Sequence, residues 1–356
     1  MAFHSDATVG DNQIDGQLSR FPSSRYMGSK QAILPFLHSV FRELEFDTVL
    51  DAFSGSAVVS YLLKCMGKSV TSNDFLTFCY HTARACVANS NLFLSEDIVS
   101  RILQPHHQAD DFIRRNFSGL YFTDEENYLL DNMTAHIRDL GSGYEQSIAY
   151  AALTRACLRK RPRGLFTYTG IRYDDGRRDL LKSFEQQFRD AVNIFNLAVF
   201  ENGKKNQAFN NSVFLLPENA HYDLVYIDPP YVSPHSDNDY TRRYHFLEGL
   251  TRYWEGLEIN LNTSTRKFNR IPSLFDSKLT VFHGFEKLFE RYKESKIVVS
   301  YSSNGIPNKD ELRSMLQKYK AKVDVFEYAH LYSSGTHSHK VGNNQNAVKE
   351  FLFVGR

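Results

Sequence analysis

The amino-acid sequence predicts an α/β fold in which a mostly parallel sheet of seven strands is covered by helices. Short apolar runs of strand length alternate along the chain with segments whose apolar residues recur at helical spacing. The first predicted strand also ends in a turn of small residues, which is typical of sheets that bind a ligand at their carboxyl edge. Hydrophobic residues make up 42% of the 356 positions, and this content is ample for a folded core.

The first half of the predicted sheet lies near the N-terminus. A helix over 33–44 leads into a strand over 46–51, which runs into the small-residue turn. A second helix over 58–66 and a strand over 69–73 follow, and that strand ends at Asp74. The order of strand, small-residue turn, helix, strand and acidic residue predicts one half of a nucleotide-binding parallel sheet.

The rest of the sheet is predicted after a long insertion. Residues 91–199 show mainly helical spacing, and we expect them to pack on the sheet. Later strands are predicted over 213–216, 224–227, 296–301, 321–328 and 350–354. The last two are joined by a short connection, so we expect them to pair antiparallel. The chain thus divides into a polar, mobile arm over 1–20, a sheet domain of 21–90 and 200–356, and the insertion.

The charge and the cysteine content exclude several classes of site. A formal net charge of +1 argues against a uniformly basic surface, so a site for a polyanion must be a local concentration of Lys and Arg. The four cysteines form no CxxC pair and have no His at zinc-ligand spacing, so we expect no metal. No apolar run reaches transmembrane length and no signal-peptide pattern begins the chain, which predicts a cytoplasmic protein without a membrane partner.

The most informative stretch is the apolar strand that ends in Asp228-Pro229-Pro230-Tyr231. The two prolines forbid continuation of the strand, so Asp228 is left at a carboxyl end, where open α/β sheets place their sites. Taken alone, Asp-Pro favours the alternative, an acidic strand end followed by a turn, because Asp and Pro are common turn formers. A functional interpretation requires a cofactor site upstream.

Two upstream segments supply that context. In Asp51-x-Phe53-x-Gly55, the glycine lets the backbone come close to a ligand, and Asp74 is spaced to hold a ribose hydroxyl pair. The three-glycine dinucleotide fingerprint is absent, which disfavours a nicotinamide enzyme. Lys30 stands at a predicted helix N-terminus, where a cation is unfavourable, so it either reaches for an anion or is solvated.

Taken in order, Tyr26-x-Gly28-Ser29-Lys30, Asp51-x-Phe53-x-Gly55 and Asp228-Pro229-Pro230-Tyr231 resemble motifs X, I and IV of the N6-adenine DNA methyltransferases. The long insertion before the last motif resembles the α group, to which Dam methylases belong. The resemblance covers roughly 21–90 and 200–356, and the chain end around Glu350 also resembles methylases of restriction-modification systems. It implies a Rossmann-like S-adenosylmethionine-dependent fold whose insertion recognises the target.

The resemblance implies roles for individual residues. Asp228 and the carbonyl of Pro229 would accept the hydrogens of the amino group, and Tyr231 would stack on a base flipped out of the duplex. Asp74 would bind the ribose of S-adenosylmethionine, and Lys30 would lie near its carboxylate. Ala57 stands where many family members have a second glycine. The implied cofactor-binding residues are Tyr26, Gly28, Lys30, Asp51, Phe53, Gly55, Asp74 and Asp228, and the implied catalytic residues are Asp228, Pro229, Pro230 and Tyr231.

A basic stretch in the insertion predicts a surface for double-stranded DNA. Its cations are interleaved with aromatic residues, so we expect contacts to phosphates and to guanine edges. The alternative is a solvated helix face and turn. Arg242 and Arg243, after the Pro-Pro turn, form a second predicted DNA-facing pair. The predicted DNA-binding residues of the basic stretch are Arg155, Arg159, Lys160, Arg161, Arg163 and Arg172.

The activity implied is methyl transfer from S-adenosylmethionine to adenine N6 in double-stranded DNA, which would protect host DNA from a cognate restriction endonuclease. Cytosine N4 presents the same amine chemistry and is the nearest alternative, although Asp before Pro-Pro favours adenine within the family pattern. RNA adenine is disfavoured by the large basic insertion. A non-catalytic DNA-binding protein on a decayed methylase fold is the alternative from another class, and the retained carboxylates argue against it.

Overall fold

The structure is a computed structural model that describes residues 9–141, 143–161, 164–171, 177–232, 239–333 and 345–356. These residues form a seven-stranded sheet in the order β3-β2-β1-β4-β5-β7-β6. The strands are β1 (Thr48–Asp51), β2 (Ser69–Asn73), β3 (Gln207–Phe209), β4 (Leu224–Ile227), β5 (Lys296–Ser302), β6 (Val323–Ser333) and β7 (Gln345–Gly355). Strands β1 to β5 pair parallel, and β7 pairs antiparallel with both β5 and β6. The predicted mostly parallel sheet is therefore confirmed.

The helices cover both faces of the sheet and build the insertion. Those before the insertion are α1 (Val9–Leu18), α2 (Leu34–Arg42), α3 (Val58–Cys65) and α4 (Thr77–Ala83). The insertion contains α5 (Glu96–Ile102), α6 (Phe112–Phe117), α7 (Asp124–Asp139), α8 (Tyr144–Lys160) and α9 (Phe184–Ala198). After it come α10 (Tyr240–Arg243), α11 (His245–Arg252), α12 (Val281–Arg291) and α13 (Lys309–Gln317). As predicted, the described part of the insertion is mainly helical.

The sheet separates two apolar layers. Successive side chains of each central strand point to opposite faces of the sheet and so enter different layers. On β4, Leu224 and Tyr226 pack with α2 and α3, whereas Val225 and Ile227 pack with α12 and α13. The insertion has a third core of its own, which also takes in residues of α4 and α11. The insertion is thus anchored to the sheet through the helices that follow β2 and precede α12.

The strand order places a crevice beside β1. Strand β1 lies between β2 and β4: the chain runs from β1 to β2 and β3 on one side, and then passes to β4 on the other side of β1. At such a switch point, the connections at the carboxyl ends diverge and leave room for a ligand. Asp51, which ends β1, and Asp228, which follows β4, both lie at this edge.

Two sequence-based predictions are wrong. Residues 9–20 of the arm predicted over 1–20 contain helix α1, in which Ile14 and Leu18 pack on the α2–α3 layer and Gln17 donates to the Tyr61 hydroxyl at 2.8 Å. With so few apolar residues in contact with the core, the sequence of α1 shows no helical periodicity. Residues 1–8 lie outside the described residues. The strand predicted over 213–216 is a 3-10 turn, Val213–Leu215, with Leu215 73% exposed, and β3 lies upstream of it. A short apolar run does not separate a strand from a turn that is buried at its two ends.

Candidate active site

A cavity of about 380 Å³ opens at the carboxyl ends of β1 and β4. Its size is in the range of small-molecule sites. All three segments singled out in the sequence contribute to its wall, together with the start of α3 and the last strand. The lining residues are Tyr26, Met27, Gly28, Ser29, Lys30, Asp51, Phe53, Ser54, Gly55, Ser56, Val58, Val59, Asp74, Phe75, Leu76, Tyr226, Asp228, Pro229, Pro230, Tyr231, Tyr240, Ser302 and Glu350.

Asp51 presents a buried carboxylate with one free oxygen. Its side chain is 1% exposed, and Oδ2 accepts a hydrogen bond from Ser60 Oγ at 2.6 Å. Oδ1 has no hydrogen-bond partner although it is buried. Burial raises the pKa of this carboxyl to about 7, and the charges of Asp228 and Asp74 act in the same direction. An unpartnered acceptor in a cavity wall is suited to a cationic hydrogen-bond donor on a ligand.

The turn after β1 depends on backbone conformations that favour glycine. Gly55 has φ +48°, and a Cβ there would lie 3.0 Å from the Tyr26 ring, so Tyr26 packs directly on the glycine. Ala57 also has a left-handed φ, +63°, and it directly precedes α3. Ala57 therefore adopts a backbone conformation that glycine takes more readily, at a cost of about 1–2 kcal/mol.

Asp74, at the end of β2, holds this turn in place. Its Oδ2 accepts from the Gly55 backbone N–H at 2.8 Å, and its Oδ1 accepts from the Leu76 N–H at 2.9 Å. Burial raises its pKa to about 6. A carboxylate oxygen can accept two hydrogen bonds, so each oxygen of Asp74 can accept a further one from a ligand hydroxyl in the cavity.

Lys30 is paired within the chain. Its Nζ lies 2.9 Å from Asp228 Oδ1 and donates to the Tyr231 hydroxyl at 2.6 Å, and the side chain is buried. Burial by itself lowers the pKa of the ammonium, but the negative charges of Asp228 and Glu350 outweigh it and raise the pKa above its ordinary value. Lys30 is therefore not solvated, and the anion that it pairs with in this structure is Asp228. Its implied place near the carboxylate of S-adenosylmethionine stays a prediction.

Tyr231 joins this pair to a third charged residue. Its hydroxyl lies 2.9 Å from Asp228 Oδ1 and 3.3 Å from Glu350 Oε2, and its ring packs against Tyr301 at 4.8 Å between centroids. Burial raises the pKa of Asp228, although Lys30 opposes the effect. The stacking of Tyr231 on a base stays a prediction.

Glu350 is the charged residue of the cavity lining to which the sequence assigned no role. It pairs with Ser302 in the β5–β7 ladder, and because β7 runs antiparallel to β5, this position on β7 reaches the carboxyl edge of the sheet. Its side chain is 1% exposed and lines the cavity. The only available signal was an acidic residue at the start of an otherwise apolar predicted strand. Tyr226, within β4, also lines the cavity without an assigned role, since a Tyr in an apolar strand gives no functional signal.

The prediction that the basic stretch contacts DNA is wrong for three of its cations, because they are buried. Arg161 is 1% exposed and donates to backbone carbonyls of Tyr121, Tyr168 and Gly170. The other two are held in the same way: Arg155 donates to the Ser23 carbonyl, and Lys160 lies 3.1 Å from Glu126. Burial lowers the pKa of Arg155 to about 10. These side chains support the helical insertion.

The remaining predicted DNA contacts keep part of their surface. Arg159 is partly exposed and forms an ion pair with Asp179 at 3.1 Å. Arg242 is exposed on α10, and Arg243 is partly exposed and donates to Met27 Sδ at 3.1 Å, so both lie beside the cavity wall. Arg163 and Arg172 lie outside the described residues.

Among the residues that the structure describes, no group of three or more His, Cys, Asp or Glu side chains is placed to hold a metal ion. In the same part of the chain, no helix combines the length and apolar character needed to cross a membrane.

Comparison with known proteins agrees with this geometry. A family profile described as D12 class N6 adenine-specific DNA methyltransferase matches residues 26–315. The chain is 32% identical over 353 residues to Type II methyltransferase M2.HphI from Haemophilus parahaemolyticus, which covers 94% of this chain and 98% of that protein. It is 23% identical over 344 residues to Type II methyltransferase M.NlaIII from Neisseria lactamica, covering 92% and 98%. Type II methyltransferase M.FokI from Planomicrobium okeanokoites is 26% identical over 349 residues, covering 92% of this chain and 52% of that protein. The chain thus spans about half the length of M.FokI.

Proposed function

The chain belongs to the D12 class N6 adenine-specific DNA methyltransferases, and from this premise we propose that the cavity at the β1–β4 edge holds S-adenosylmethionine and the target adenine. The protein is an adenine-specific DNA methyltransferase whose substrate is double-stranded DNA and whose reaction requires a methyl donor. The observation that carries the proposal is that Asp228, at the end of β4, shares one cavity with Asp51 and Asp74.

The polar groups of the cavity fit S-adenosylmethionine. Its methionine ammonium matches the free Oδ1 of Asp51, and its ribose hydroxyls match the remaining acceptor capacity of Asp74. Phe53 offers an apolar surface, and Gly55 lets the turn approach the ligand without a side chain. When bound, S-adenosylmethionine supplies an already activated methyl group on a sulfonium, so no covalent nucleophile on the protein is required.

The work of the protein is to shape the amine. The lone pair of the adenine amino group is delocalised into the ring, so two acceptors that take its hydrogens favour the tetrahedral geometry of a nucleophile. Asp228 and the Pro229 carbonyl are the two acceptors that we assign. Lys30, 2.9 Å from Asp228, favours the ionised form of that carboxyl, which is the form that accepts. Positioning and fixed charges therefore account for the assigned catalysis.

Access of the base to this cavity requires that the adenine leave the duplex. We assign Tyr231 to stack on the flipped base and Arg242 and Arg243 to contact the DNA near the cavity mouth, since the two arginines lie on α10 beside it. Arg159 is assigned a phosphate contact at the partly exposed end of α8. The insertion is assigned target recognition. In the cell, the same proposal places the protein in the cytoplasm with its DNA, where it would protect the sites of a cognate restriction endonuclease.

The test is methylation of mixed-sequence DNA with labelled S-adenosylmethionine, followed by hydrolysis to nucleosides and separate measurement of N6-methyladenine and N4-methylcytosine. We expect label in N6-methyladenine, and sequencing of the modified DNA then gives the recognition site. Label in N4-methylcytosine would contradict the adenine assignment. The variant Asp228→Ala should lose methyl transfer by at least about 100-fold, because it removes one of two preorganised acceptors.

DNA affinity separates this loss from a general defect. Asp228 acts on the amine and not on phosphates, so Asp228→Ala should bind DNA about as tightly as the unaltered protein in a fluorescence anisotropy titration. The matched control is Asp310→Asn, an exposed carboxylate on α13 outside the cavity lining, which should keep normal turnover. Normal turnover by Asp228→Ala would refute the assignment of the site.

A further inference from the structure

A second carboxylate, Glu350, faces the Lys30–Asp228 pair from the opposite side of the sheet edge. It reaches this place from β7, whereas Asp228 follows β4 and Lys30 lies in the 3-10 turn Lys30–Ile33. Glu350 is 1% exposed and lines the same cavity. A buried carboxylate is costly unless its charge is compensated, and the charge of Glu350 interacts favourably with the buried ammonium of Lys30.

Glu350 is linked to the pair through the Tyr231 hydroxyl and through its charge. Its Oε2 lies 3.3 Å from the Tyr231 hydroxyl, which is also 2.9 Å from Asp228 Oδ1 and accepts from Lys30. Its negative charge raises the pKa of Lys30 and also raises the pKa of Asp228. The ammonium of Lys30 thus pairs with Asp228 and feels the charge of Glu350, and the Tyr231 hydroxyl lies between the two carboxylates.

We propose that Glu350 is a positioning residue for methyl transfer, and that it holds Lys30 and Tyr231 so that Asp228 stays a strong acceptor for the amino group. The inference rests on the proposed function of the cavity.

The physical reason is the division of the Lys30 charge. With Asp228 as its sole carboxylate partner, the ammonium would take up most of the acceptor strength of Asp228 Oδ1, which the amine needs. The negative charge of Glu350 also stabilises the ammonium, so that Lys30 depends less on Asp228. It also offers the Tyr231 hydroxyl a second acceptor, so that the hydroxyl need not stay on Asp228 when the base enters.

Other charged and titratable groups face the same point and set the background of the pH dependence. Asp51 approaches from the end of β1, and Tyr226 approaches from β4. The charges of Asp51 and Asp228 repel each other, whereas the phenol of Tyr226 is neutral because burial raises its pKa. Besides Asp228, the carboxylate whose charge raises the pKa of Lys30 is that of Glu350. Ser302, opposite Glu350 on β5, is uncharged. Glu350 is therefore the group whose neutralisation changes the Lys30–Asp228 pair most directly.

The experiment compares Glu350→Gln and Glu350→Asp with the unaltered protein in single-turnover methylation across pH 5 to 9. Glu350→Gln keeps the shape and removes the charge, and we expect its rate constant for methyl transfer to fall about tenfold, with DNA and S-adenosylmethionine affinities within about twofold. Asp228 accepts as an anion, so the rate falls as pH drops through its pKa. Removing Glu350 lowers that pKa, and the acid limb of the profile should move to lower pH. Glu350→Asp should recover part of the rate and the original limb.

The matched control is Glu327→Gln on the neighbouring strand β6, where an exposed carboxylate pairs with Lys309 and Lys349. It should leave the rate and the pH profile unchanged. A Glu350→Gln protein with an unchanged rate and acid limb would overturn the inference. So would a lower melting temperature with a reduced rate but an unmoved limb, since that result marks a structural role, and so would weaker cofactor binding with an unchanged rate. If the unaltered protein methylates no adenine, the proposed function fails first and independently of the variants.

Discussion

Replacing Asp51 with asparagine should stabilise the protein while it weakens cofactor binding. The carboxylate is buried at the end of β1, Ser60 donates to Oδ2, and Oδ1 is left without a partner. Without a ligand, this arrangement holds an incompletely compensated charge in the sheet edge. With S-adenosylmethionine bound, our assignment gives the same oxygen an ammonium partner. Asp51→Asn removes the charge and retains the shape.

The expected gain in the free energy of unfolding follows from the pKa of Asp51, which burial raises from 3.8 to about 7. Because the folded protein binds this proton more tightly than the unfolded chain, the carboxyl lowers stability progressively as pH rises from about 4 to about 7. A pKa raised by about 3 means that the ionised carboxylate lowers the free energy of unfolding by ~4 kcal/mol at pH 8. Rearranging hydrogen bonds around the new amide costs about 1–2 kcal/mol, so we expect a net gain of about 2 kcal/mol.

The assay is chemical denaturation of the ligand-free protein at pH 8 and at pH 5. The gain from Asp51→Asn should be present at pH 8 and nearly absent at pH 5, where the carboxyl of the unaltered protein is already protonated. Calorimetry at pH 8 should show a dissociation constant for S-adenosylmethionine at least about tenfold higher, the loss of one charge-assisted hydrogen bond. Asp47→Asn, an exposed carboxylate just before β1, is the control.

Two results would refute this reasoning. Equal destabilisation of Asp51→Asn at both pH values would mean that the carboxylate has structural partners that outweigh its burial. Unchanged cofactor affinity at pH 8 would mean that the free oxygen of Asp51 does not receive the ammonium.

Two further predictions concern the ribose carboxylate and the buried cation of the insertion. Asp74→Ala should weaken binding of S-adenosylmethionine by at least about tenfold, and an unchanged dissociation constant in calorimetry would contradict the ribose role. Burial raises the pKa of Asp74 to about 6, so the affinity of the unaltered protein for S-adenosylmethionine should decrease as pH falls below about 6. Arg161→Met should lower the free energy of unfolding by about 3 kcal/mol in urea, since the carbonyls of Tyr121, Tyr168 and Gly170 lose their donor. The salt dependence of DNA binding by the folded variant should not change, and a smaller slope would show that Arg161 contacts phosphate.

The site could be predicted from the sequence where local pattern and chain order were sufficient. An apolar strand ending in Asp228 and a small-residue turn followed by Asp74 are local signals, and a parallel sheet brings carboxyl ends to one edge. Glu350 required the antiparallel register of β7, which no local pattern states. The partner of Lys30 was equally out of reach, because the sequence indicates that a cation seeks an anion but not which one.

The basic stretch was misinterpreted for a different reason. Arg and Lys have long apolar stems and are buried when carbonyls or carboxylates satisfy their heads. The groups that satisfy Arg161 and Lys160 lie in other parts of the insertion, such as Tyr121 and Glu126. A run of positive charge therefore looks the same in sequence whether it faces solvent or supports the interior.

The position of β7 between β5 and β6 also has a consequence for synthesis of the protein. Lys30 leaves the ribosome early and Glu350 late, yet both face the same turn after β4. The nascent chain thus carries its ammonium and its Asp-Pro-Pro-Tyr turn for most of translation without the strand that completes them. Sheets closed by such distant segments form slowly. A partly synthesised chain would expose the edge of β5 until β7 has docked on it.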